Sequence, residues 1–190
     1  IPRDPARRPS IEGADALIAG EAEHVFPSVC DALLRGDPVP PFLAADPPPL
    51  DRVAMPYGLF TDEDLRNRTV YVEATRGCRM RCAYCASARD RGIRRFPRTA
   101  FLDELDALIA RGARRIKILD RSFNLDPDTA EAVLAFLRDR PEPDLQAQVE
   151  FVPAALPERL RALLASFPPG RLRIELGIQT LDDAVNRRID

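Results

Sequence analysis

Three of the chain's four cysteines fall within one short run, GCRMRCAYCAS from Gly77 to Ser87, at Cys78, Cys82 and Cys85. Thiolates are soft ligands suited to iron, and each iron of a cubane cluster takes one ligand beyond its bridging sulfides. A C-x3-C-x2-C loop can fold around three corners and leave the fourth iron open to chelate a small molecule. Zinc and electron transfer are the alternatives. Structural zinc generally wants a closed tetrahedron of C-x2-C or Cys/His pairs. Here the only histidine, His24, is remote in sequence, and Cys30 sits on an apolar helical stretch beside Val29 and Leu33. Cys30 therefore reads better as a buried, inert thiol than as a fourth ligand. A ferredoxin-type carrier wants a fourth cysteine near a proline, and no cysteine follows Cys85.

Strands and helices in strict alternation must position this loop. TVYVEAT (69–75), RRIKILD (114–120), QVEFV (148–152) and RLRIELGIQ (171–179) read as strands, each rich in β-branched or alternating apolar residues. Between the first two, Thr99 can cap a helix running through Ala110, with Leu102, Leu105, Leu108 and Ile109 as its buried stripe and Gly112 at its end. Asp126 and Pro127 make an N-cap and first-turn pair for a helix carrying Val133, Leu134 and Leu137. Pro157 opens another, whose Leu160, Leu163, Leu164 and Phe167 face inward, and TLDD starts a last one. The expected fold class is α/β, a parallel sheet forming a partial (β/α) barrel of about four units. Chemistry then belongs at the carboxyl ends of the strands, where the cysteine loop lies.

The front of the chain has another character. Residues 1–10 are Pro- and Arg-rich and read as a loop, after which an apolar run near Ala14 to Ala19 and a helix from Glu21 to Arg35 form one strand–helix unit. Val25, Phe26, Val29, Leu33 and Leu34 share a face of that helix, and Gly36 stops it. Seven prolines between positions 38 and 56 then suggest a semi-rigid linker. Three segments follow: 1–36 as the last piece of an α/β domain, 37–68 as linker, 69–190 as the main core. Because the chain opens on Ile1 and closes at Asp190 inside a helical pattern, we expect a piece of a longer protein.

Cys78, Cys82, Tyr84 and Cys85, placed after a strand and ahead of alternating helices and strands, resemble the radical S-adenosylmethionine (SAM) enzymes. The resemblance implies a 4Fe-4S cluster on the three cysteines, SAM on the open iron, and reductive cleavage of SAM to a 5′-deoxyadenosyl radical that takes hydrogen from a substrate. Tyr84 matches the aromatic residue that packs near the adenine. ILDRSFN departs from the family's glycine-rich turn and looks like the D-x-x-F-N variant of its cobalamin-associated members, with Asp120 and Asn124 at the cofactor's edge. Asp120 then has two roles to choose between, acceptor for the SAM ammonium or plain turn residue.

ELGIQT resembles the family's segment ending the fourth strand, with Gln179 facing SAM. GADALIAGEAEHVF, through Gly20, Glu21 and Glu23, resembles the end of a cobalamin-binding domain, with Ala22 where glycine is more usual. The implied cofactors are the cluster, SAM and, in a longer protein, cobalamin. The implied partners are a reductant such as flavodoxin or ferredoxin and an unidentified small-molecule or peptide substrate. The reaction beyond SAM cleavage is methyl transfer or rearrangement.

Residue pattern adds a polar face. Glu150 alternates with Val149 and Phe151, and Glu175 and Gln179 alternate with Ile174, Leu176 and Ile178. Carboxylates beneath helices would be costly, so these line a cavity where they can meet the SAM ribose, and Lys117, the only lysine, can pair there with Glu73, Glu150 or Glu175. Arg79, Arg81, Arg89, Arg91, Arg94, Arg95 and Arg98 surround the cysteine loop and read by default as a solvated face. A net charge of −2 and pI near 5.6 argue against nucleic acid or an anionic membrane surface as partner. No apolar run reaches the roughly 20 residues that span a bilayer, and we expect a cytoplasmic protein with reduced thiols.

Overall fold

The computed structural model describes residues 13–86, 92–121, 123–153 and 156–189; the loop expected at 1–10 lies outside them. The chain divides into two compact units, Ile1–Ala54 and Met55–Asp190. No helix among the described residues is long and apolar enough to cross a membrane.

In the first unit β1 (Leu17–Gly20) leads through α1 (Phe26–Arg35) to β2 (Phe42–Ala45), and the strands pair in parallel from Leu17↔Phe42 to Gly20↔Ala45. Helix α1 ends where expected: Gly36, at φ 76°, takes the left-handed conformation that closes a helix and that glycine adopts without steric penalty. The linker expectation needs correction at β2. Its prolines bracket the proline-free FLAA, whose amides are all free to join a ladder. The expected helical stripe is mostly uncovered, with Val29 buried but Phe26 57% and Leu34 86% exposed, and Cys30 half-buried rather than buried. A two-stranded sheet has too little surface to cover such a stripe.

The second unit carries the main core. Helix α2 (Asp62–Asn67) opens on a reciprocal capping box, Asp64 N–H donating to Thr61 Oγ1 at 3.2 Å and Thr61 N–H to the Asp64 carboxylate at 3.1 Å. The sheet order β3-β6-β7-β8 follows chain order, all pairs parallel, through Val70–Val72, Arg115–Ile118, Gln146–Phe151 and Leu172–Leu176. That is the strand order of an opened (β/α) barrel, as the alternation predicts. Three helices, α3 (Arg98–Ala110), α4 (Pro127–Arg138) and α5 (Glu158–Ala165), form one hydrophobic cluster with the sheet. Val70, Val72, Ile116, Ile118, Ala147 and Val149 meet Phe101, Leu105, Ile109, Val133, Leu134 and Leu160 in it, every one at most 2% exposed.

Helix α1 begins at Phe26 rather than at Glu21, and two further helix starts differ from expectation in how they are capped. Helix α3 begins at Arg98 after Pro97, so Thr99 lies in the first turn and caps nothing. Asp126 does occupy the N-cap of α4 with Pro127 after it, but its carboxylate makes no capping bond because it is turned to Arg95.

Arg171, 7% exposed just before β8 (Leu172–Leu176), closes the other end of α4. Its guanidinium donates to the carbonyls of Leu137 and Arg138 in the last turn of the helix and of Arg140 and Glu142 just beyond it. We expect Arg171→Met to lower stability by about 2 to 4 kcal/mol, because it strands these carbonyls where water has little access. Urea unfolding checks this; an unchanged midpoint would mean that water replaces the guanidinium.

Candidate functional site

Past β3 the backbone enters β4 (Thr75–Arg76), which pairs antiparallel with β5 (Arg94–Arg95) in the register Thr75↔Arg95 and Arg76↔Arg94. Phe96 N–H donates to Ala74 O at 3.1 Å, and the Arg76 guanidinium lies 5.5 Å from the centre of the Phe96 ring. The cysteine loop is thus closed at its neck. It leaves β4 through Gly77, buried at φ 94°, a conformation a side chain would strain.

Within the loop, Met80 N–H donates to Cys78 Sγ at 3.4 Å, and Cys85 N–H donates to Cys82 O at 3.0 Å, so the last two cysteines close one turn. Ala83 N–H reaches Ile189 O at 2.8 Å, at the end of α6 (Asp183–Ile189). None of the three thiols is in a disulfide, and all are half-buried. Tyr84 is 56% exposed; partial desolvation chiefly, then a hydrogen bond with Cys82 and the charges of Cys82 and Cys85, hold its phenol above the usual range. Among the described residues no three His, Cys, Asp or Glu side chains converge on a point fit for one metal ion. Cluster ligation asks for something else, thiolates on separate irons. The donor set of three thiols outside any disulfide, on a pinned loop, fits that group. Arg89 and Arg91 lie outside the described residues.

The D-x-x-x-N pair of the second strand's end is built into the protein. Asp120, 1% exposed, accepts from Ala74 N–H through Oδ1 at 2.8 Å and from the Thr75 hydroxyl through Oδ2 at 2.7 Å. Asn124, also 1% exposed, donates to Val152 O and accepts from Val152 N–H, both at 2.8 Å, and so grips the end of β7. Between them Phe123 is buried, its ring 6.2 Å from that of Phe151. The bonds of Asp120 reach back to the start of the cysteine loop rather than closing a local turn at Asp120.

Glu150 and Glu175 stand side by side in the β7–β8 register, on the sheet face opposite the helices. Lys117 Nζ lies 2.9 Å from Glu175 Oε2 and 3.3 Å from Glu150 Oε1, and Gln148 Nε2 donates to Glu175 Oε1. The hydrogen bond to Glu175 foremost, with that to Glu150, raises the Lys117 pKa, and the same lysine holds Glu175 below the usual range. Tyr71 and Arg173 share this face through the register Tyr71↔Lys117 and Gln148↔Arg173. Gln179 is exposed in the loop beyond β8, which ends at Leu176 and not at Gln179 as the alternation suggested.

Sequence reading missed the Arg95–Asp126 pair. The guanidinium donates from Nε at 2.6 Å and from Nη2 at 2.8 Å to the two carboxylate oxygens, and Asp126's side chain is only 4% exposed. Burial acts to raise the Asp126 pKa, but its hydrogen bonds with Arg95 and Thr129 prevail and hold it low. Among seven arginines around the loop, no spacing rule marks Arg95; the only local hint is Asp126 at a helix start.

Burial pushes the Asp120 carboxyl up to about 6, against the hydrogen bonds from Thr75 and Ala74 that favour its charged form. The folded state then binds more protons than the unfolded state between pH 3.8 and about 6, so this group's contribution to stability falls as pH rises through that window. Asp120→Asn keeps an acceptor for Ala74 N–H and lets the Thr75 hydroxyl turn to accept, so it removes the slope without breaking the turn. Urea midpoints of the two proteins measured across that range should diverge with pH; parallel curves would refute the assignment.

The Radical SAM superfamily profile matches residues 72–190, well over half the chain. No curated protein matches. Two solved structures of TsrM, a radical S-adenosylmethionine methyltransferase from Kitasatospora setae, share the fold. The one with cobalamin and 4Fe-4S cluster bound is 22% identical at TM-score 0.52, over 62% of this chain and 22% of that one. The one with tryptophan substrate and the SAM analogue aza-SAM is 22% identical at TM-score 0.53, over 64% and 24%. This chain thus matches less than a quarter of either TsrM chain. On the family match, carried by the stretch that holds the cysteine loop and the strands β6, β7 and β8 of the main sheet, the chain belongs to the radical SAM superfamily of enzymes.

Proposed function

We propose that this chain carries the cluster- and SAM-binding part of a cobalamin-associated radical SAM enzyme. The observation that supports this best is three reduced cysteines at C-x3-C-x2-C spacing on a neck-closed loop, directly past a strand of a parallel sheet. Cys78, Cys82 and Cys85 would each ligate one iron, leaving the fourth for the amino and carboxylate groups of SAM. When bound and reduced, the cluster supplies the electron that breaks the sulfonium bond of SAM.

The chain's own residues bind and orient. Tyr84, beside Cys82 and half-exposed, offers its ring to the adenine. Glu150 and Glu175 offer acceptors to the ribose hydroxyls, and Lys117 between them keeps two neighbouring carboxylates from repelling each other. Gln179, exposed past the same strand end, adds a donor and an acceptor. Asp120 and Asn124 act through the backbone they hold.

Residues 1–36, together with the strand β2 that pairs with β1, are proposed as the end of a cobalamin-binding domain, the rest of 37–68 as its link and 69–190 as the radical SAM core. The reaction class is methyl transfer, favoured over rearrangement by the TsrM likeness in fold. Substrate is a small molecule or peptide, the reductant a flavodoxin or ferredoxin, and the compartment the cytoplasm.

Anaerobic reconstitution with iron and sulfide should give a brown protein whose reduced paramagnetic spectrum changes when SAM is added. Cys78→Ala, Cys82→Ala or Cys85→Ala should each lower cluster content about tenfold or more, whereas Cys30→Ala should leave it unchanged. A colourless protein holding one zinc, or a cluster indifferent to SAM, would overturn the reading in favour of a binding module or an electron carrier.

A further inference from the structure

We infer that Asp120 and Asp126, at the two ends of the β6–α4 connection, clamp the two legs of the cysteine loop and are positioning residues for its thiols. The inference rests on the reading of that loop as the cluster site.

The entering leg is held by Asp120, whose oxygens take Ala74 N–H and the Thr75 hydroxyl. The leaving leg is held by Asp126, whose oxygens take both arms of the Arg95 guanidinium. Thr75 and Arg95 are themselves register partners in the β4–β5 neck. The two carboxylates therefore grip opposite sides of one base pair of the hairpin, from a connection that lies outside the loop. The charge on Arg79, next to Cys78, also bears on Asp126.

What holds the holders is the core. Asp120 directly follows Leu119, whose N–H donates to Val72 O at 2.8 Å at the carboxyl end of β3. Asp126 begins α4, whose Ala130, Val133, Leu134 and Leu137 are all fully buried. Asn124, between the two, is fixed on Val152 by two hydrogen bonds. A two-residue ladder alone would fray. With both legs tied to buried carboxylates, the neck moves only if the sheet does, which is the rigid support that a preorganised ligand loop requires. Arg95 is half-exposed at the side chain but Asp126 is only 4% exposed, so losing Arg95 leaves a buried carboxylate unpaired and lowers stability as well as releasing the loop.

The test compares the protein with Arg95→Gln, Asp126→Asn and the double variant. In the apoprotein, alkylation of Cys78, Cys82 and Cys85 should be about tenfold faster in each single variant and no faster in the double, because both singles release the same leg. Arg95→Gln should lower the unfolding midpoint yet keep a single cooperative transition, so that faster alkylation under native conditions reports the loop and not global unfolding. After reconstitution, Arg95→Gln should need about tenfold more SAM to change the cluster's paramagnetic spectrum, and Arg95→Lys, which keeps charge but loses the two-armed bond, should recover only part of that loss. Alkylation rates equal to wild type in every variant, or a double variant that multiplies the effects of the singles, would overturn the clamp. A wild-type protein that takes up no cluster while the alkylation pattern holds would instead sink the cluster reading and leave the clamp standing on its own measurement.

Discussion

One face of a four-stranded parallel sheet has to be covered by helices, and the arrangement of everything chemical in this chain follows from it. Val70, Val72, Ile116, Ile118, Ala147 and Val149 fill that face, and α3, α4 and α5 bring the apolar surface they need. Strand geometry then sends every alternate residue to the other side. Because the strands are parallel and connected by helices, their carboxyl ends also share one edge, and the connections after them meet there. Polar residues can therefore gather on one face and one rim without conflicting with the core.

The rim shows how a loop with little structure of its own is given a definite shape. The cysteine loop carries few internal hydrogen bonds among its described residues, and its order comes from the neck and from what grips the neck. Putting the carboxylate of Asp120 at 1% exposure is expensive in solvation, as its raised pKa expresses, and two donors from the loop's entering leg offset part of that. Asp126 solves the same problem with a full counter-charge, Arg95, and stays ionised. Two acids seven residues apart or fewer in the chain thus meet burial in two ways, one by neutral donors and one by an ion pair.

On the open face, Lys117 with Glu150 and Glu175 illustrates charge placed where water still reaches. Their side chains are between 19% and 46% exposed, so the pairings are screened and the group can exchange partners when a ligand arrives. Arg171 works under the opposite condition: it is buried, and its guanidinium donates to several backbone carbonyls at the end of α4 and in the turn after it. The first arrangement suits recognition, the second support.

The fold of the main unit was largely legible in the sequence, because helix and strand periods are local properties that the residues carry with them. The alternation of β6, β7 and β8 with helices, the buried stripes of Leu105, Leu108 and Ile109 or of Val133, Leu134 and Leu137, and the cysteine spacing could all be read without coordinates. Strand β2, hidden among prolines, and the two-residue strands β4 and β5 could not, since their pairing depends on a partner distant in the chain. The same holds for side-chain assignments. That Lys117 meets acids on the sheet face could be anticipated from alternation. That Asp120 holds Thr75, 45 positions away, and Asp126 holds Arg95, 31 away, was decided only in three dimensions. Residue type and spacing determined which groups are able to do chemistry here. Tertiary packing decided which of them stay open to solvent and which are spent holding the backbone, because burial and partner geometry arise only when separate elements come together.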